Sequence, residues 1–147
     1  MRLVLDSNVW LDWLHFDDPG VSPLKRAKHN RTIEIVIDAP CRDELECVLG
    51  YDRFGLDKAA QHKMLSKADR LCTFLDDLRY APAEQLPWCS DPDDIKFLAL
   101  AAASEADWLI TKDNALLSKR RRKTSGNDSY RVATPDQWSS SESIDCG

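Results

Sequence analysis

Apolar residues along the chain gather into short continuous runs, and these alternate with stretches in which apolar positions recur at helical spacing. Arg2 to Leu5 (RLVL) is a short run closed by Asp6, the pattern of a buried strand. Val9 to Leu14 follows as a helix with Trp10, Trp13 and Leu14 near one face. A turn at Asp17 to Gly20 and a short basic helix from Pro23 to His29 come next. Ile33 to Ile37 (IEIVI) is β-branched and continuous, which predicts a second strand. Asp38 is placed to cap a helix with Pro40 in its first turn, running from about Cys41 to Leu49 and stopping near Gly50. From Asp57 to Tyr80, the stripe Met64, Leu65, Ala68, Leu71, Cys72 and Leu75 predicts one long helix.

The alternation continues to the end. Tyr80 to Cys89 is Pro-rich and reads as extended. An alanine- and leucine-rich helix follows, with Asp91 as cap, Pro92 as first helical residue and Asp94 as the reciprocal acid three positions after the cap. Trp108 to Thr111 (WLIT) is a third apolar strand, a short helix starts at Asn114, and YRVAT is a last strand before TPDQW opens a final helical turn. The segment 139–147 (SSSESIDCG) is polar and of low complexity and is expected to be a disordered tail behind a single domain over 1–138. Strands alternating with helices predict an α/β fold: a three-layer sandwich with a central parallel β-sheet flanked by helices. In such a sheet, binding and catalysis belong at the carboxyl ends of the strands.

Composition narrows the class. At 147 residues the chain fits one domain with a true hydrophobic core. The cysteines Cys41, Cys47, Cys72, Cys89 and Cys146 form no CxxC pair and have no histidine at zinc-finger spacing, so they read as reduced thiols. The apolar run at the N-terminus is too short for a signal peptide, and no stretch approaches the ~20 apolar residues of a membrane span. A cytoplasmic protein without membrane association is expected. The net charge of −5 speaks against a broad duplex-DNA-binding face.

Chemistry enters with the acids. Asp6 ends the first strand, Glu44 lies one turn into the helix after the second, Asp94 is in the first turn of the alanine-rich helix, and Asp113 follows WLIT. A parallel sheet gathers strand ends and helix starts on one edge, where several carboxylates stay ionised together only with a cation among them. All these donors are oxygens, which favours Mg²⁺ or Mn²⁺ over zinc or copper. Such an ion acidifies a bound water and stabilises charge on a phosphoryl group, which suits phosphodiester hydrolysis. Each acid also has a bland role: Asp6 and Asp113 as helix caps, Glu44 as a solvated helical acid, and Asp91, Asp93 and Asp94 as cap and dipole residues.

With these positions in view, LVLDSNVWLDWL is similar to the opening of PIN domains, where a strand ends in Asp-x-Asn. DELECVLG resembles the second motif of that family, with its helical Glu. DPDDIKFLALAAASEADWLITKDNALL resembles the third and fourth: an Asp starting an alanine-rich helix, then an apolar strand closed by Thr-x-Asp. YRVATPDQW looks like the last strand and its Thr-Pro turn, so the similarity spans about Met1 to Trp138. The resemblance implies that Asp6, Glu44, Asp94 and Asp113 are the metal-binding and catalytic acids, and that Asn8 and Thr111 orient ligands and water, with Asp91 as a helper. Asp93 is the alternative to Asp94, and Asp43 or Glu46 to Glu44. The DPDD form resembles the toxin components of toxin–antitoxin systems, of the VapC type. It implies a Mg²⁺- or Mn²⁺-dependent endoribonuclease acting on RNA, a cognate antitoxin protein as partner, and a homodimer.

The run Lys119, Arg120, Arg121, Arg122 and Lys123 is either a solvated loop or an RNA phosphate contact beside the site, and Lys112 inside Thr-x-Asp poses the same choice. Of the tryptophans Trp10, Trp13, Trp88, Trp108 and Trp138, packing is the better role for Trp13 and Trp108, whereas Trp10, one turn after Asp6, is placed to line the groove. Two rivals stand beside the ribonuclease. A haloacid-dehalogenase-like phosphatase needs a second acid two residues after its Asp nucleophile, and Asn8 stands there. A catalytically decayed PIN-like RNA- or antitoxin-binding module would not require all four acids.

Overall fold

The structure is a computed structural model that describes residues 1–82, 92–117 and 130–145, without the side chains of 92–94 and 143–145. Its strands are β1 (Arg2–Leu5), β2 (Glu34–Ile37), β3 (Cys72–Phe74), β4 (Trp108–Ile110) and β5 (Arg131–Ala133). Its α-helices are α1 (Ser7–Leu11), α2 (Ser22–His29), α3 (Ala39–Leu49), α4 (Lys58–Leu71), α5 (Pro92–Ala103), α6 (Asn114–Leu117) and α7 (Pro135–Asp145). The strands form one sheet in the order β3-β2-β1-β4-β5, with every pairing parallel.

Alternation along each strand divides the core in two. Leu3, Leu5, Ile35, Ile110 and Ala133 face a layer containing Val9, Trp10, Trp13, Leu24, Leu65 and Trp138. Val4, Val36, Leu109 and Val132 face the opposite layer, with Phe97, Leu98, Leu100, Ala101 and Leu116. Helices cover both faces, which is why these strands read as continuous apolar runs rather than alternating ones. The three-layer parallel sandwich expected from the alternation is the fold observed.

Three expectations are corrected. The long helix predicted over Asp57 to Tyr80 ends at Leu71, and Cys72 to Phe74 become an edge strand paired with Ile35 to Ile37. Leu71, Cys72 and Leu75 continue a helical stripe, but the cross-strand bonding of β2 takes the chain at Cys72 instead. The segment expected to be disordered from residue 139 is helical through Asp145. Thr134 and Gln137 exchange reciprocal cap hydrogen bonds at 3.1 Å, Pro135 occupies the first helical position, and buried Trp138 anchors the first turns to the core. Trp10 lines no groove: it is 1% exposed and packs against Trp13 with ring centroids 5.9 Å apart. Among the described residues no helix is long and apolar enough to cross a membrane.

The chain order reverses between β1 and β4, since β1 runs on to β2 on one side while β4 lies on the other. A crevice opens outside the carboxyl ends of strands at such a reversal. Asp6 follows β1, and Thr111 to Asp113 follow β4.

Candidate active site

Asp6 directly follows β1 at the strand-order reversal. Its backbone continues the β1–β4 ladder, donating to the Ile110 carbonyl at 2.9 Å, and its carbonyl accepts from Val9 and Trp10 at the start of α1. The side chain is buried, and each of its oxygens is hydrogen-bonded. Oδ1 accepts from the Ser7 amide at 2.7 Å, while Oδ2 accepts from the Thr111 hydroxyl at 2.6 Å and from Asn8 Nδ2 at 3.2 Å. Burial pushes the Asp6 carboxyl above its ordinary value. The hydrogen bonds from Thr111 and Ser7 oppose that shift, and the negative charges of Asp113 and Glu44 add to it. Asp113 and Glu44 are therefore close enough to Asp6 to repel it, although they lie on a different loop and a different helix.

Thr111 joins the two strand ends. Its hydroxyl donates to Asp6 and accepts the Asp113 amide at 3.0 Å. Asn8 makes a second tie, its Oδ1 accepting from the Lys112 amide at 3.3 Å. Asp113 Oδ1 caps α6 by accepting from the Ala115 amide at 2.9 Å. The capping roles of Asp6 and Asp113 are thus real, and they are also what fixes each carboxylate in the crevice.

Glu44 lies on α3 with a side chain only 12% exposed, and its Oε2 is 3.1 Å from the Lys96 ammonium of α5. Its alternatives differ in setting: Glu46 is exposed and 3.9 Å from Arg42, and Asp43 lines a separate 400 Å³ cavity with Arg42, Asp69, Cys72 and Phe74. Asp94 lies in the first turn of α5. Asp91 and the basic run Lys119 to Lys123 lie outside the described residues. Lys112 Nζ pairs with Asp12 Oδ2 at 2.6 Å, and Asp12 itself is buried at the start of a π-helical turn over Asp12–Phe16. Such turns recur near functional sites.

Two neighbours escaped the sequence reading. Asp38 ends β2 as Asp6 ends β1, and it is 1% exposed. It caps α3 through the Cys41 amide at 3.0 Å, as the pattern predicted, and it also accepts a 2.6 Å hydrogen bond from the Tyr80 hydroxyl. The available signal was the recurrence of Asp directly after an apolar strand, already used for β1. Lys96 carried no local signal, because its partner is on another helix. The thiol of Cys41 lies between these groups: burial pushes it well up, the charges of Asp38 and Asp6 push it further, and Lys96 pulls it down.

The donors fit a hard divalent cation chemically, since all are carboxylate oxygens. The like-charge repulsion on buried Asp6 is the situation that a bound cation relieves. Among the described residues, no three Asp, Glu, His or Cys side chains are drawn together tightly enough to enclose an ion.

A sequence model described as PIN domain matches residues 2–115. No curated protein matches the chain. Among solved structures, VapBC2 from Rickettsia felis, crystallised bound to a DNA fragment from its promoter, superposes with a TM-score of 0.61 at 15% identity, over 90% of this chain and 97% of that one. PAE2754 from Pyrobaculum aerophilum gives a TM-score of 0.55 at 18% identity, over 97% of this chain and 89% of that one. At these identities the structures share the fold.

Proposed function

Since the chain belongs to the PIN-domain family, whose members are generally nucleases, we propose that it is a Mg²⁺- or Mn²⁺-dependent endoribonuclease and the toxin of a type II toxin–antitoxin pair. The observation that carries this reading is Asp6, buried at the strand-order reversal, bonded to Thr111 and repelled by Asp113 and Glu44. A decayed site has no reason to keep a buried carboxylate beside two like charges, which costs stability.

Asp6, Glu44, Asp94 and Asp113 would hold the ion. A bound Mg²⁺ or Mn²⁺ supplies an acidified water and polarises the scissile phosphoryl group. The protein's own part is positional. Thr111 and Asn8 hold the Asp6 carboxylate in one orientation and tie it to the loop bearing Asp113, so little reorganisation accompanies substrate binding. Lys119 to Lys123, following α6, would contact RNA phosphates.

The structural likeness to VapBC2 supports a cognate antitoxin as partner, and the homodimer remains the assembly implied by the motif resemblance. The test is cleavage of labelled RNA by purified protein in Mn²⁺, beside an EDTA control and Asp6→Ala. Cleavage abolished by both is expected. Cleavage that survives either one rejects the mechanism, and absence of cleavage on every RNA class tried favours the binding module.

A further inference from the structure

We propose that Lys96 is the site's resident counter-cation: it neutralises Glu44 while the crevice is empty, and a divalent ion must compete with it. The inference rests on the metal-dependent reading of the site.

Three observations converge on it. Glu44 is a carboxylate with 12% side-chain exposure, and its charge already acts on buried Asp6. A carboxylate so placed needs a cation, and the chain brings one from a different helix, with Lys96 Nζ 3.1 Å from Oε2. The lysine is also held in register by its own backbone, because its carbonyl accepts the Cys41 Sγ–H at 3.4 Å and so ties α5 to α3 at the residue three before Glu44.

The consequence is a trade-off. The ammonium lets the acids assemble without metal, and the same positive charge repels an incoming divalent ion and occupies one oxygen of a ligand. Lys96 therefore sets how much free metal the protein needs before the site fills. It is a positioning residue, acting through Glu44.

The test is calorimetric Mn²⁺ titration of the whole protein, without substrate, comparing wild type with Lys96→Gln, Lys96→Met and Lys96→Arg. The Met variant keeps the aliphatic stem packed if Gln perturbs folding. Both neutral variants are expected to bind Mn²⁺ about tenfold tighter, the effect of removing one unit charge roughly 6 Å from a doubly charged ion in a water-like medium. They should also melt lower without metal and gain more in Tm on saturation than wild type, while Arg stays near wild type. Equal or weaker Mn²⁺ binding by both neutral variants overturns the proposal while the wild-type isotherm still upholds the metal site. No Mn²⁺ binding by wild type, with Asp6→Asn indistinguishable from it, removes the metal site and this proposal together.

Discussion

The Thr111 hydroxyl stands between two acids, donating to Asp6 Oδ2 at 2.6 Å and accepting the Asp113 amide at 3.0 Å, and it is fully buried. One side-chain oxygen therefore couples the ends of β1 and β4. Thr111→Val keeps the shape and removes both bonds, leaving a buried carboxylate oxygen short of a donor and a backbone amide short of an acceptor. A loss of about 1–3 kcal/mol in urea unfolding is expected, with weaker Mn²⁺ binding. Thr111→Ser should recover most of both. A Val variant as stable as wild type would show that the hydroxyl is dispensable.

Asp6 predicts a pH dependence. Its folded carboxyl titrates above the ordinary value of 3.8, so between that pH and the folded value the native state binds more protons than the unfolded one. Stability from this group is thus highest below the ordinary value and falls as pH rises through the folded one. In metal-free protein, wild type should lose stability relative to Asp6→Asn on going from about pH 4 to neutrality. Saturating Mn²⁺ should reverse the order. Denaturant midpoints across that range, with and without metal, measure it.

The Tyr80 hydroxyl reaches 2.6 Å to Asp38, which is buried at the end of β2. Tyr80→Phe removes this donor, while the Cys41 amide stays bonded to the same carboxylate. A cost of about 1–2 kcal/mol is expected, since hydrogen bonds to charged groups exceed neutral ones. Asp38→Ala also removes the α3 cap and should cost more. The two variants combined should be less than additive, which a double-mutant cycle in urea resolves.

Trp138 is 3% exposed, and its indole N–H finds no acceptor among the described residues. Its value is therefore packing. Trp138→Phe should cost much less than Trp138→Ala, which is expected to lose about 3–5 kcal/mol. Deleting 139–147 while keeping Trp138 should cost less than Trp138→Ala. Thermal melts of the three variants check the order.

For the basic run, replacing Arg120, Arg121 and Arg122 by Ala should weaken RNA binding and flatten its salt dependence. Each lost phosphate contact removes about 0.7 from the log–log slope on a single strand. An unchanged slope would assign the run to solvent.

Much of the fold was legible because its signals are local. RLVL, IEIVI and WLIT announce strands through apolar continuity, and Asp38 announces α3 as a cap with Pro40 behind it. CTF was not legible. Three residues at the end of a helical stripe have no period of their own, and only the neighbouring β2 makes them a strand. Trp10 was misplaced for a related reason: spacing from Asp6 gives distance along the chain, not whether its face of α1 meets solvent or core.

The amino-acid order by itself determined which residues are apolar enough to be buried, where helices begin, and that acids follow the strands at both β1 and β4. These depend on side-chain type and on neighbours within a turn or two. Tertiary structure decided which acids are neighbours and what holds each one: Asp6 bonds to Thr111 across 105 positions, and Glu44 pairs with Lys96 across 52. Hydrogen bonding and charge interaction depend on separation in space, and in a parallel sheet that separation is set by strand order and helix packing rather than by distance along the chain.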